Sequence, residues 1–340
     1  MRKARLAKLE AIVQKSDGHE FEVKSFCRLL LMKDSQNFIK RIKKFTVLDV
    51  FSIYQGLFEN TARLYRLAKG LELPPDIEAL MEYTLKCLKS QTIHYEDACA
   101  ISYIKLKTFG ADTSNEIKQV VIDEVQDYYP IQLAIMKELY GSAKYTVVGD
   151  IAQSIERSGK LSIYDTMSEL LQKNKTARIF MHRSYRSSYE INEFAKRIMG
   201  GCIDSESFPR HETVPEVISE KGEEELSAKL VERLEMYARE GYQTIAILCK
   251  TLEQTKALLE RLTNKTTLKF NNGIENETEK GCTILPVYAA KGLEYDAVLV
   301  YGVDDTNYCT ELDRRLLYIA CTRALHRLTL YYTWKKSRFL

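Results

Sequence analysis

The spacing of apolar residues divides the chain into two parts. Up to about residue 110, apolar side chains recur every three or four positions, which is typical of amphipathic helices. The spacing predicts helices at Met1–Lys15, Glu22–Leu31, Asn37–Lys43, Val47–Lys69, Ile77–Ser90 and Tyr95–Thr108. Because this part carries no catalytic pattern, we expect residues 1–110 to form a helical insertion or lead segment.

The period changes near Ile117, where short apolar runs typical of buried strands begin to alternate with helical patterns. The predicted strands are Gln119–Val125, Tyr145–Gly149, Ala177–Met181, Thr244–Cys249, Cys282–Tyr288, Ala297–Val303 and Arg327–Tyr332. The predicted helices are Ile131–Leu139, Ile163–Gln172, Ser188–Met199, Glu223–Arg239, Leu252–Leu262 and Asp313–Thr322. Strands that alternate with helices of this length indicate an α/β fold, with a parallel sheet covered on both faces.

Composition narrows the class of protein. With 340 residues, 45% hydrophobic and 29% charged, the chain can form two or three globular domains, and a net charge of +3 says little about partners. Residues 1–44 hold twelve Lys or Arg against five acids, and a solvated helical face explains this more simply than a polyanion-binding segment. No apolar run approaches the roughly 18 residues of a membrane span, and no signal-peptide core is present. We therefore expect a cytoplasmic protein without membrane contact.

The eight cysteines occur singly, without a Cys-x-x-Cys pair, and several fall inside strand or helix patterns. This distribution favours buried free thiols over disulfides or a zinc site.

Carboxylates follow the first of the predicted strands. Residues 120–127 read VVIDEVQD, an apolar run that ends in Asp123, Glu124, Gln126 and Asp127. Open α/β sheets bind their ligands at the carboxyl ends of their strands. In a nucleotide hydrolase, the first acid of such a pair holds Mg²⁺ and the second orients or deprotonates the attacking water.

Four further polar motifs lie at strand ends or helix ends. They are GDIAQS at 149–154, SYRS at 184–187, AKGLEYD at 290–296 and LYIACTRA at 317–324. Each motif alone has an ordinary structural explanation. Arg186 and Arg323 could form surface ion pairs, Gly292 could cap a helix, and Gln153 could occupy a turn.

The five motifs together resemble those of superfamily 1 helicases of the UvrD, Rep and PcrA group. Within that group they look most like the HelD-type, helicase-IV-like proteins that act on RNA polymerase. The resemblance rests on DEVQDYYP, GDIAQSI, SYRSSYEI, AAKGLEYD and LLYIACTRALHRL, and it covers about residues 95–340. It implies RecA-like P-loop NTPase folds with parallel sheets: a partial first domain at 111–177 and a complete second domain at 178–340, preceded by the helical segment 1–110.

The resemblance also implies that ATP and Mg²⁺ bind between two RecA-like domains. Carried over residue by residue, the family pattern gives Asp123 to the metal, Glu124 to the hydrolytic water and Gln153 to sensing of the γ-phosphate. Tyr185 would stack on adenine, and Gly292 and Glu294 would lie near the nucleotide. Arg186 would contact the γ-phosphate, and Arg323 would be the arginine finger.

Departures from the family pattern modify this expectation. The phosphate-cradling pattern G-x-x-x-x-G-K-[ST] is missing, because the only Gly-Lys pair is Gly159-Lys160, followed by Leu161. We therefore expect the C-terminal part of a longer enzyme, with weak nucleotide binding and no hydrolysis on its own. A separate chain that carries the missing element is a further candidate partner. The segment 155–159 has no aromatic residue, and Tyr288 stands where DNA-translocating relatives often have histidine. Both features, and the short interval between Arg186 and Lys291, favour the HelD-like interpretation.

Two classes of function remain in competition. The first is an ATP-driven motor, with RNA polymerase as the expected partner and DNA as the second choice, the latter corresponding to a UvrD-like DNA helicase. The other is a binding remnant that no longer hydrolyses nucleotide. Retention of Asp123, Glu124, Gln153, Arg186 and Arg323 favours the motor, because charged groups are costly to bury in a site without a use.

Overall fold

The computed structural model describes residues 48–111, 116–150 and 162–340, except 174, 202, 204, 264, 267–269 and 272–280, together with isolated positions before residue 48. Most of the helices predicted before Val47, and Gln153 with its surrounding motif, lie outside these residues. The chain divides into two compact units, Met1–Ala111 and Asp112–Leu340. A further division near residue 177 stays a prediction.

The first unit is helical over its described part. Its helices are α1 (Val50–Phe58), α2 (Thr61–Leu67), α3 (Ile77–Lys89) and α4 (Tyr95–Phe109). The stretch predicted as one helix breaks at Asn60, which adopts an extended conformation and whose side chain accepts a hydrogen bond from the backbone N–H of Arg63 at 2.9 Å. This is an N-cap, and it starts a new helix. The buried Tyr54 hydroxyl donates to Asp97 at 2.7 Å and ties α1 to α4.

The second unit contains a six-stranded sheet in which every pair of neighbours is parallel. The strand order is β5 (Glu216–Glu220), β10 (Ala324–Thr333), β9 (Tyr295–Val300), β6 (Thr244–Cys249), β8 (Gly281–Pro286) and β7 (Phe270–Asn271). Helices α7 (Tyr189–Ile198) and α10 (Glu311–Cys321) pack on one face, and α8 (Glu223–Arg239) and α9 (Leu252–Thr263) pack on the other. The predicted α/β class and the coverage of both faces are confirmed.

A smaller parallel sheet precedes the large one. It consists of β1 (Gln119–Ile122) and β2 (Lys144–Val147), and helices α5 (Pro130–Tyr140) and α6 (Ser162–Leu171) follow the two strands. Ile122 packs with Leu133 of α5 and Met167 of α6 in one buried cluster. On the opposite face, the Val121 side chain is 65% exposed. Among the described residues, helices therefore cover one face of this sheet.

One predicted strand is absent from the structure, and some observed strands were not predicted. Residues 177–181 form no strand, although the apolar run Ile179–Met181 is typical of a buried strand. The side chains of Ile179 and Met181 are instead 84% and 85% exposed. The short pair β3 (Arg183–Ser184) and β4 (Glu206–Ser207) forms just after them. Strand β5 was not predicted, because an edge strand needs only one buried face and its sequence, EVISE, is mostly polar.

Within the part of the chain that the structure describes, the cysteines are free thiols, and Cys249, Cys282 and Cys321 are buried, as predicted. Burial raises the pKa of the Cys282 thiol to about 11, so this thiol is protonated at neutral pH. Among the helices of the described ranges, none combines the length and the apolar character needed to cross a membrane.

Candidate nucleotide site

The acidic motif forms a tight turn immediately after β1. Glu124 adopts the left-handed conformation, with φ 50° and ψ 40°, and its backbone N–H donates to Asp123 Oδ1 at 2.8 Å. Holding a glutamate in the left-handed backbone conformation costs of order 1–3 kcal/mol of folding free energy. Residues strained in this way cluster at functional sites. The turn directs two adjacent carboxylates to the end of one strand, where extended backbone would send them to opposite faces.

Gln126 joins the ends of the two strands of the small sheet. Its Nε2 donates to Glu124 Oε2 at 2.5 Å, and its Oε1 accepts from the backbone N–H of Asp150 at 3.0 Å. The residue is only 5% exposed. No role was predicted for Gln126, although its position, a polar residue within an apolar, acid-rich run, was the available signal.

Gly149 leaves the space that Gln126 occupies. A Cβ atom at this position would lie 2.3 Å from Gln126 Oε1 and 3.0 Å from both the Tyr164 hydroxyl and Val125 Cγ1. The Tyr164 hydroxyl also donates to the Gly149 carbonyl at 2.9 Å. The glycine of the GDIAQS motif is therefore required by close packing at the end of β2.

The Gly149→Ala substitution should displace the Gln126 side chain and lower the free energy of unfolding by about 1–3 kcal/mol. Denaturant unfolding of the purified chain measures this change. Gly56→Ala in α1 is the matched control, because a Cβ there meets only the end of the Arg63 side chain at 3.8 Å. That control should stabilise α1 by up to about 1 kcal/mol through helix propensity. Equal effects of the two substitutions would contradict the packing argument.

The two site arginines differ in their surroundings. Arg186 lies in the loop after β3, and its Nε pairs with Glu294 Oε1 at 2.5 Å; both side chains are about two-fifths exposed, at 39% and 42%. Arg323 follows α10 and is completely buried. Its guanidinium donates to the carbonyls of Ile319 and Leu293 at 3.2 and 3.3 Å. The alternative that these arginines form surface ion pairs therefore fits Arg186 and is wrong for Arg323.

Electrostatics connect Arg323 to the acidic turn. Burial, and next the positive charge of Arg186, lower the pKa of the Arg323 guanidinium to about 10, while the carboxylates of Glu124 and Glu294 act in the opposite direction. A second link is direct, because Lys291 Nζ lies 2.5 Å from Asp127 Oδ2. The carboxylates that follow the small sheet therefore face cationic groups contributed by the large sheet's connections.

The segments that carry Arg186 and Arg323 are tied to each other. The buried Ser187 hydroxyl donates to the carbonyl of Ala324 at 2.6 Å, and the Ser188 N–H donates to that of Leu325 at 3.1 Å. The guanidinium of Arg210 donates to the carbonyls of both Arg186 and Leu325. Sequence analysis did not identify Arg210, which lies outside the five motifs, and nothing in its local pattern indicates this role.

Of the remaining site residues, Tyr185 immediately precedes Arg186, and Gly292 lies two residues before Glu294, the partner of Arg186. The Tyr185 ring is 59% exposed, and it contacts the Phe208 ring with centroids 5.2 Å apart and planes inclined at 43°. Gly292 has φ +79°, a conformation that favours glycine, and it follows Lys291, the C-terminal cap of the short 3-10 turn Val287–Ala290. Its position also fits the structural explanation given above, a cap at the end of a helical turn.

The donor set agrees with a magnesium nucleotide better than with a protein-only metal site. Within the described residues, no three His, Cys, Asp or Glu side chains are arranged to hold a metal ion. Mg²⁺ is commonly bound through one or two carboxylates, with waters and substrate phosphates completing its shell. Asp123, which is exposed at the carboxyl end of β1, can supply such a carboxylate.

Two family models match this chain. Residues 55–172 match the UvrD/REP helicase N-terminal domain, and residues 281–331 match the UvrD-like helicase C-terminal domain. The second match contains Lys291, Gly292, Glu294 and Arg323, and the first contains Asp123 and Glu124.

Several curated proteins are similar to parts of the chain. DNA helicase II of Escherichia coli is 22% identical over 198 residues, covering 54% of this chain and 26% of that protein. The ATP-dependent DNA helicase PcrA of Staphylococcus aureus is 26% identical over 204 residues, covering 55% and 26%. The ATP-dependent DNA helicase srs2 of Schizosaccharomyces pombe is 31% identical over 143 residues, covering 39% and 16%. The matched region thus spans about a quarter or less of the length of these relatives.

The solved structures that are similar to part of the chain include one helicase domain. It is the C-terminal domain of a possible DNA helicase from Lactobacillus plantarum WCFS1, 33% identical, covering 46% of this chain and 91% of that one, with a TM-score of 0.41. The two domain matches and the three helicase relatives agree with the motifs that form the site. The chain therefore contains UvrD-like helicase N- and C-terminal domains and is homologous to the superfamily 1 helicases UvrD, PcrA and Srs2.

Proposed function

We propose that this chain belongs to an ATP-driven motor of the superfamily 1 helicase type and supplies the acids and arginines of its hydrolytic site. The observation that supports this proposal most strongly is the meeting of opposite charges from two sheets. Lys291 Nζ, from the connection between β8 and β9, lies 2.5 Å from Asp127 Oδ2 in the turn after β1. The Glu124 carboxylate of the same turn acts to raise the pKa of the completely buried Arg323, about 200 positions later in the chain. Phosphoryl transfer needs this combination of a water-orienting acid and charge-stabilising cations.

The acidic turn would act on the metal and the attacking water. Bound Mg²⁺ neutralises charge on the phosphates, and the Asp123 carboxylate would hold it. Glu124 would orient the water and accept its proton. Its carboxylate is already fixed by the bond from Gln126, and Gln126 is in turn bonded to the chain at Asp150. This preorganisation reduces the reorganisation needed when nucleotide binds.

The arginines would bind and stabilise phosphate oxygens. Arg323 stays protonated at neutral pH, because its pKa of about 10 lies well above 7. Burial strengthens its field at the phosphate, since few water molecules screen it. Arg186 pairs with Glu294 in this structure, so phosphate binding would exchange one anionic partner for another. Tyr185 would stack on adenine, and Gln153, by the family pattern, would sense the γ-phosphate.

The phosphate cradle is the part that this sequence does not encode. Its only Gly-Lys pair, Gly159-Lys160, lacks the upstream glycine and the following Ser or Thr. We propose that other polypeptide, either continuous with these 340 residues or on a separate chain, supplies the cradle. The chain by itself would then bind nucleotide weakly and would not turn it over.

A fluorescent ATP analogue and its ADP counterpart test the site in the presence of Mg²⁺. Loss of one charge-assisted contact to phosphate costs about 1.5–3 kcal/mol, so Arg186→Met should weaken ATP binding at least about tenfold and ADP binding much less. Arg178→Met is the matched control, because Arg178 forms an exposed pair with Asp165 away from the motifs. Equal losses for ATP and ADP would contradict the γ-phosphate role, and robust phosphate release by the chain alone would contradict the missing cradle.

The macromolecule on which the motor acts is a more specific proposal than the motor activity itself. The curated relatives are named DNA helicases, which supports nucleic acid as the substrate class. The HelD-like features, a motif segment without aromatic residues and Tyr288 in place of histidine, support RNA polymerase as the target complex. Strong, salt-sensitive binding of single-stranded DNA, together with DNA-stimulated turnover of the completed protein, would favour a UvrD-like DNA helicase instead.

A further inference from the structure

A short segment between β4 and β5 runs beside the loop that carries Arg186. We call residues 208–213 the Arg210 segment. Arg210 Nη2 donates to the carbonyl of Leu325 at 3.1 Å and also to the carbonyl of Arg186. Leu325 lies in β10, two residues after Arg323. The Arg210 side chain therefore bridges the two segments that carry the site arginines.

The contacts of Arg210 differ from those of an ordinary surface ion pair. Glu212 Oε1 lies 3.4 Å from Arg210 Nε, and this buried nitrogen has no hydrogen-bond partner among the residues that the structure describes. The Glu212 carboxylate lies closer to His326 of β10, 2.8 Å from its Nδ1. A guanidinium placed by its ion pair would bond the carboxylate directly, commonly through two parallel bonds. The two carbonyls, and not the acid, therefore determine where the Arg210 guanidinium lies.

The Arg210 segment is itself fixed from two directions. On the side of α7, the Tyr189 N–H donates to the Arg210 carbonyl at 2.8 Å. On the side of β10, the Arg327 guanidinium donates to the Thr213 hydroxyl at 2.6 Å. The side chain of Arg210 thus extends from a support that is hydrogen-bonded to both α7 and β10.

A bond to the Arg186 carbonyl fixes the backbone from which the Arg186 side chain extends. That side chain is 39% exposed, so packing around the guanidinium restrains it little. Binding groups must be held within about 0.5 Å of their productive positions, and a displacement of about 1 Å can cost roughly 100-fold in rate. Backbone anchoring is therefore the main restraint available to an exposed arginine in a loop.

We infer that Arg210 is a positioning residue of the nucleotide site, which fastens the backbone of Arg186 to the start of β10 and so holds the Arg186 guanidinium where it contacts the γ-phosphate. The same bridge keeps the Arg186 loop beside the segment of Arg323, so that the two arginines act on the phosphate together. Arg210 acts through Arg186 and does not bind the nucleotide. The inference rests on the proposed function, and it assigns a role to a residue outside the five motifs.

The preference of the chain for ATP over ADP tests this role, because it reports on the γ-phosphate contact and not on folding. With the fluorescent analogues and Mg²⁺, Arg210→Met should lower this preference at least about threefold and leave ADP binding nearly unchanged. Arg210→Gln is too short to reach both carbonyls and should show the same loss; it replaces the methionine variant if that variant does not fold. Arg239→Met is the matched control, because Arg239 is exposed and donates to a backbone carbonyl within α8.

A double variant shows whether Arg210 acts through Arg186. Arg186→Met combined with Arg210→Met should have the same ATP preference as Arg186→Met alone, because the positioned group is already absent. Losses that multiply in the double variant, or a preference unchanged by both Arg210 substitutions, would overturn the inference and leave the proposed function in place. A preference unchanged in Arg186→Met would instead refute the γ-phosphate role itself, and the inference with it.

Discussion

Replacement of Lys250 by alanine is expected to lower the free energy of unfolding of the second unit by about 3 kcal/mol or more. Lys250 follows β6, and its ammonium lies 2.6 Å from Oδ1 of Asp313, a residue of α10 that is only 3% exposed. The ammonium also donates to the Asn307 carbonyl at 2.5 Å. Removing the cation would leave a buried carboxylate without its charged partner, which is among the costliest changes in a protein interior.

The loss in unfolding free energy should fall near the lower end of the about 3–5 kcal/mol that removing one partner of a buried ion pair usually costs. The reason is that Asp313 keeps other hydrogen-bond partners. It accepts hydrogen bonds from the N–H groups of Cys309 and Thr310 at 3.0 and 2.9 Å, as part of the capping box that begins α10. Urea denaturation measures the change. Lys229→Ala is the control, because Lys229 pairs with Glu232 on an exposed helix surface and should change stability by less than about 0.5 kcal/mol. A similar small effect at Lys250 would contradict the argument.

The pH dependence of stability provides a second measurement on the same pair. Burial alone would raise the pKa of Asp313, but the bonds from Lys250 and the backbone N–H groups outweigh it and lower the pKa to about 2. The carboxyl therefore contributes about 2 kcal/mol of stability above its unfolded-state pKa near 3.8, and this contribution is lost as the pH falls through 2. Lys250→Met should show a shallower loss of stability in acid than the wild type.

Replacement of Arg323 by methionine is expected to produce the largest functional effect. In the protein completed by its phosphate cradle, ATP turnover should fall about 1,000-fold or more, because arginine fingers contribute at least that much to phosphoryl transfer. Binding of ADP should change little, since the role proposed for Arg323 is exercised on the transferring phosphoryl group. Steady-state phosphate release and analogue binding measure the two quantities.

Methionine is chosen to separate chemistry from folding. Arg323 is completely buried, and it donates to two backbone carbonyls and to the Thr322 hydroxyl. Arg323→Ala would leave a cavity and unpaired acceptors, at a cost of about 3 kcal/mol, whereas methionine fills much of the same volume. A folded methionine variant that retains turnover would refute the arginine-finger role. Loss of ADP binding in that variant would indicate structural damage at the site.

Local sequence patterns predicted much of the scaffold. Strand β6 and helix α8 have the predicted bounds, Thr244–Cys249 and Glu223–Arg239, because a continuous apolar run and a sustained helical period leave little ambiguity. The motif order predicts a nucleotide site at strand ends, and in the structure the Glu124 carboxylate acts to raise the pKa of Arg323 while Lys291 pairs with Asp127. Predictions failed where the signal was weak: β5 is mostly polar, and the apolar stretch 177–181 forms no strand.

What the sequence determined by itself, then, is the α/β class, the parallel strands and the types of residue available to the site. These follow from periods of two and 3.6 residues and from the chemistry of the motifs, which are properties of neighbouring positions. Only the tertiary structure decided that Glu124 is left-handed, that Gln126 reaches Asp150, that Arg323 is buried and Arg186 is not, and that Arg210 bridges Arg186 and Leu325. Each of these depends on contacts between segments distant in the chain, or on packing around one residue, and spacing along a sequence carries no information about either.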